Sequence, residues 1–127
     1  MRSDEFLKNV TEVGGPSDPE SAAVVTRTVL DNLGKQLKGG EAADLAAQLP
    51  AELKEPLQRH GAEEPLTDDV DEFLRRLAGQ LGEGIDPETA RTYAGAVLST
   101  LDATVSEGEI GDLRSQLPAG FAPLFED

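Results

Sequence analysis

Two stretches of this chain are copies of one another. Laid over residues 86–119 at an offset of 68, residues 18–51 agree at fifteen of 34 positions by direct count. The matches come in blocks. Asp18-Pro19-Glu20 lies over Asp86-Pro87-Glu88, and Val29-Leu30 with Leu33 lies over Val97-Leu98 with Leu101. Gly40-Glu41, Asp44-Leu45 and Gln48-Leu49-Pro50-Ala51 recur as Gly108-Glu109, Asp112-Leu113 and Gln116-Leu117-Pro118-Ala119. Upstream, Asp4-Glu5-Phe6-Leu7 matches Asp71-Glu72-Phe73-Leu74 at an offset of 67, so the second copy carries one extra residue between its first two elements. A duplicated unit of roughly 60 residues must bury its apolar face twice, and each copy is the nearest partner of the other.

Each copy reads as three helices. Phe6, Leu7, Val10 and Val13 fall on one face of a first helix over about Ser3 to Val13; Val70, Phe73, Leu74, Leu77 and Leu81 do the same in the second copy, with Thr67 as the expected N-cap. The second helix starts at Asp18 or Ser17, with Pro19 in its first turn; Asp86-Pro87 repeats that signal. Its stripes are Ala22, Val25, Val29, Leu33 and Leu37, then Ala90, Tyr93 or Ala94, Val97, Leu101 and Val105. A third, shorter helix spans about Glu41 to Gln48 and Glu107 to Gln116, stopped by Pro50 and Pro118. Ser106 and Glu109 have capping-box spacing, and Glu52 to Gln58 adds a further turn. The expectation is one all-α domain over 1–127, a helical bundle of two tandem three-helix repeats related by a pseudo-twofold axis. Repeat one covers 1–58, a linker 59–66, and repeat two 67–127.

Composition narrows the chemistry. With no cysteine, thiolate metal sites, disulfides and cysteine nucleophiles are excluded. The net charge of −14 opposes nucleic acid and anionic membranes as partners. Residues 63–127 hold fifteen acids against four bases, and residues 1–62 ten against seven, so a cationic partner is expected on the second half. No apolar run approaches the roughly 20 residues of a membrane span, and Met1 to Val10 lacks a signal-peptide core. A cytoplasmic protein is the expectation.

The run Ala22, Thr28-Val29-Leu30, Leu33, Leu37, Gly40-Glu41-Ala42, Leu45 and Gln48-Leu49-Pro50 resembles the prokaryotic domain-of-unknown-function 2267 family. So does Ala96-Val97-Leu98, Leu101, Val105, Gly108-Glu109, Leu113 and Gln116-Leu117-Pro118. The resemblance covers nearly the whole chain, with the Glu-to-Gln-Leu-Pro segment its most specific part. It implies a small duplicated helical domain with no established activity and supplies no catalytic residues. Arg27 is matched by Gly95 in the second copy, so any role for that arginine belongs to the first copy.

Candidate sites are few. Glu41, Asp44 and Gln48, with Glu109, Asp112 and Gln116, form one helical stripe in each copy. Pseudo-twofold packing would gather the carboxylates of Glu41, Asp44, Glu109 and Asp112 into a donor set for Ca²⁺ or Mg²⁺. The plainer reading is local: the glutamates favour their helix N-termini, and the glutamines bond backbone near the Pro50 and Pro118 turns. No Glu-x-x-His pair supports a di-iron centre. Asp68, Asp69, Asp71 and Glu72 suit the first turn of a helix or the docking of a basic partner. Phe121, Leu124 and Phe125 either complete the core or form an apolar partner surface. His60, the single histidine, is expected as an exposed linker residue with no ligand partner nearby. No P-loop, dinucleotide fingerprint or nucleophile elbow occurs. The expected role is therefore a non-enzymatic interaction or regulatory module without a cofactor, binding a protein partner. The alternative is a ligand- or divalent-cation-binding protein or enzyme with a site between the repeats.

Overall fold

The computed structural model describes residues 2–126, and among these the regular elements are all helices, with no strand. The chain runs through α1 (Ser3–Glu12), α2 (Pro19–Lys35), α3 (Gly39–Ala46), a 3-10 turn (Ala51–Leu53), α4 (Lys54–Gln58), α5 (Val70–Leu81), α6 (Pro87–Thr104), α7 (Glu107–Gln116) and a closing 3-10 segment (Ala119–Phe125). No helix among them is long and apolar enough to cross a membrane.

The long helices begin where the Asp-Pro-Glu signal puts them. The Asp18 carboxylate accepts the Ser21 N–H at 3.0 Å, and Asp86 accepts that of Thr89 at 2.7 Å. Each bond satisfies a donor left open by the helix start, while Pro19 and Pro87 occupy a position that needs no N–H. Both carboxyls are held below their ordinary range by these bonds. α1 and α5 end before Gly14 and Gly82, which take φ of +120° and +118°, backbone that side chains with a Cβ rarely adopt. The start of α5 differs from the expectation. Asp69, not Thr67, is its cap, accepting the Glu72 N–H at 2.9 Å. The segment before it is tied to α2, with Leu66 N–H bonded to the Lys35 carbonyl at 2.8 Å and the Asp68 carbonyl to Gln36 Nε2 at 3.1 Å, so the helix cannot begin earlier.

Packing crosses between the halves. α1 lies on α2 and also on α6; α5 lies on α6 and also on α2; α2 touches α6, and α3 touches α7. The apolar stripes of both long helices, with Phe6, Phe73 and Phe121, join one buried cluster. Phe73 and Phe121 meet edge to face at 5.1 Å. Beneath α2, α4 approaches so closely that a Cβ on Gly34 would sit 2.3 Å from the Leu57 carbonyl oxygen.

Candidate functional site

α3 and α7 meet through a reciprocal exchange. Gln48 Oε1 accepts the Ser106 N–H at 2.8 Å, and Gln116 Oε1 accepts the Lys38 N–H at 3.2 Å. Ser106 and Lys38 are the N-cap residues of α7 and α3. Each glutamine therefore supplies an acceptor to the start of the other short helix, and the two bonds are related by the same offset of 68. The glutamines do not serve the Pro50 and Pro118 turns as their neighbourhood in sequence suggested.

This contact brings the first-turn glutamates together. One carboxylate oxygen each from Glu41, Asp44 and Glu109 lies within 4.8 Å of the others. Glu41 Oε1 and Glu109 Oε1 are fully buried and have no hydrogen-bond partner. Asp44 is exposed, at the rim. Asp112 is also exposed and lies outside the trio, although its charge still acts on Glu41. Burial first, then the facing Glu109 carboxyl, then the charges of Asp112 and Asp44, push the Glu41 carboxyl up to about 7. Two unit charges about 4 Å apart repel by ~4 kcal/mol at an effective dielectric near 20. Such a pair relieves the repulsion by sharing a proton or by taking a cation. Among the described residues no Lys or Arg forms an ion pair with any of the four acids. Three oxygens at this spacing fit around one ion at the 2.3–2.6 Å of Ca²⁺–O contacts.

The remaining candidates have structural partners. Asp68 pairs with the Arg76 guanidinium, Asp69 caps α5, and Asp71 lies 3.9 Å from Arg91. Glu72 is exposed on the first turn. Phe121, Leu124 and Phe125 are buried to within 4% of full burial and pack on α6, so they line the core and leave no free apolar surface. A cation–π contact from Arg114, 5.3 Å from the ring centroid, covers Phe125. His60 departs from the exposed-linker expectation: its side chain is only 15% exposed and lies between Asp31 and Glu63.

One polar network was missed in the sequence. Asn32, fully buried on α2, donates to Gln80 Oε1 at 2.7 Å and accepts from Arg76 Nε at 2.7 Å. Gln36 joins it through the Asp68 carbonyl. Its signal was available: Asn32 and Gln36, four residues apart, interrupt the apolar side of α2. The network ties α2 to α5. A cleft of about 490 Å³ between Asp18, Val24, Leu81, Ile85 and Tyr93 is not lined by any of the clustered carboxylates.

A family model described as an uncharacterised conserved protein, DUF2267, matches residues 3–124. The chain belongs to the DUF2267 family. The match takes in both short helices, so the DUF2267 region contains the whole carboxylate cluster and both bridging glutamines. No curated protein matches this chain.

Proposed function

We propose that this DUF2267 chain is a non-enzymatic helical module whose two repeats pair about a pseudo-twofold axis, with a divalent cation held by the carboxylates on that axis. The observation that carries the reading is the facing pair Glu41 and Glu109, each with a buried oxygen that has no donor, and with Asp44 alongside. Acceptor-only oxygens in such a cluster are the chemistry of Ca²⁺ and Mg²⁺ binding. Glu41, Asp44 and Glu109 would hold the ion, with Asp112 supplying charge from the rim. Cation uptake then joins α3 to α7, and so couples ion concentration to the rigidity of a surface that engages a partner. The acidic second half favours a basic protein surface as that partner.

A second reading rests on the raised Glu41 carboxyl, which favours a shared proton in place of the ion. Calorimetric titration of the full chain with CaCl₂ and with MgCl₂ at pH 7.5 separates the two. The cation reading expects heat and a rise in melting temperature, both abolished by Glu41→Gln with Glu109→Gln. Absence of heat from either ion removes the cation, and a melting temperature that then falls as pH rises through 7 leaves the proton as occupant.

A further inference from the structure

The connection from α4 to α5 passes along the second half of α2 and is tied to it in three places. His60 Nε2 lies 2.9 Å from Asp31 Oδ1, Leu66 N–H bonds the Lys35 carbonyl, and the Asp68 carbonyl accepts from Gln36. The second and third ties join amide donors to carbonyl acceptors and are indifferent to pH. The first is different. His60 Nδ1 also lies 3.0 Å from Glu63 Oε2, so each ring nitrogen faces a carboxylate oxygen. A carboxylate only accepts, and a neutral imidazole has one N–H. The neutral ring can satisfy one contact and sets a lone pair against an oxygen at the other. Only the imidazolium donates to both. With both nitrogens engaged, the ring has no free lone pair for base catalysis or for a metal.

The charges around it point the same way. Asp31, 17% exposed, also meets Arg59 at 3.3 Å and Lys35 at 3.8 Å. Glu55, on α4, is taken up by Arg59 at 2.5 Å. Facing His60 are therefore Asp31 and Lys35 from α2, Glu55 and Arg59 from α4 and its end, and Glu63 from the connection itself: three acids against two bases. The Glu63 contact raises the imidazole most, burial opposes it, and Asp31 raises it further. Beyond the histidine, Pro65, Leu66 and Thr67 form one wall of a cleft of about 420 Å³, whose other side is Lys38, Gln116, Leu117 and Pro118.

We propose that His60 is a proton-operated latch: as imidazolium it clamps the connection between the two halves onto Asp31 of α2, and on losing its proton it gives up one of its two carboxylate contacts and loosens residues 60–66, held from then on chiefly by the Leu66 tie, and with them one wall of the cleft beside Leu66. This device is independent of the Glu41–Glu109 cluster, on the seam between α3 and α7, and can fail or stand separately from it.

The chain has one histidine, so its ring resonances titrate without ambiguity in an NMR experiment. The experiment uses the full chain carrying Glu41→Gln, which removes the raised Glu41 carboxyl from the pH response. The ring is expected to titrate above the ordinary 6.5, and Asp31→Asn to lower that midpoint. Amide exchange at Gly61 and Leu66, corrected for the intrinsic pH dependence, should lose protection as pH rises through the same midpoint. In His60→Gln that protection should already be low at acid pH and stay flat. A midpoint at or below 6.5, or a pH profile of Leu66 protection unchanged by His60→Gln, overturns the latch. Should Asp31→Asn fail to fold, since Asp31 also serves Arg59 and Lys35, the His60→Gln comparison decides alone.

Discussion

Replacing Glu41 by glutamine keeps its shape and fixes it in the neutral state. In the native chain the Glu41 carboxyl is raised from 4.5 to about 7 by burial and by the facing Glu109. The folded state thus holds this proton more tightly than the unfolded state does. Its contribution to stability is fully present below pH 4.5 and is lost as pH rises through 7. Taken at face value the interval amounts to about 3 kcal/mol. Glu41 is only partly buried as a residue and Asp44 and Asp112 are exposed, so screening brings the loss to about 1–2 kcal/mol. For a domain of this size that is roughly 3–8 °C in melting temperature. Glutamine at this position presents an amide donor to Glu109 at every pH, as the protonated acid does only below 7. The assay is a series of thermal melts by circular dichroism from pH 5 to pH 8, at low salt and with a chelator present, on native chain and Glu41→Gln. His60 has a raised imidazole and loses its contribution in the same direction, but it is common to both proteins. The difference between them isolates Glu41. The expected result is near-equal melting at pH 5 and a clear advantage for Glu41→Gln at pH 8. A constant difference across the range would refute the claim that the two carboxyls share one proton.

Gly34→Ala should destabilise the chain by about 2–3 kcal/mol, because the new Cβ falls 2.3 Å from the Leu57 carbonyl and α2 must part from α4; urea denaturation checks it. Phe121→Ala should cost about 3–5 kcal/mol, since the ring is 1% exposed and packs on Phe73; retention of native stability would place the tail outside the core. Gln48→Ala should cost about 0.5–1.5 kcal/mol by leaving Ser106 N–H without its acceptor, and faster amide exchange at Ser106 is the accompanying sign.

Local chemistry was legible wherever one segment carries the whole signal. Asp18-Pro19-Glu20 and Asp86-Pro87-Glu88 start α2 and α6 because the cap, the proline and the first N–H groups lie within four residues of each other. The stripes from Ala22 to Leu37 and from Ala90 to Val105 gave the buried faces for the same reason. Thr67 failed as a cap because the deciding contacts come from Lys35 and Gln36, some thirty residues away. The carboxylate set was half legible. Its residue types and their stripe could be read from the sequence, but not that Asp112 stays outside the trio while Asp44 joins it.

From its sequence alone this chain had its helices, most of their buried sides and its net negative charge, because caps, prolines and periodicity act over a few residues and charge is a sum; Val13, on the stripe of the first helix, lies past the end of α1 and is exposed. Its long-range meetings were decided only when the halves packed: Glu41 with Glu109, Gln48 with Ser106, Gln116 with Lys38, His60 with Asp31, and Asn32 with Arg76. These pairs lie far apart along the chain, so no local preference selects them. The angle and depth at which helices bury their stripes choose which polar ends face each other, and that is a property of the packed core rather than of any one segment.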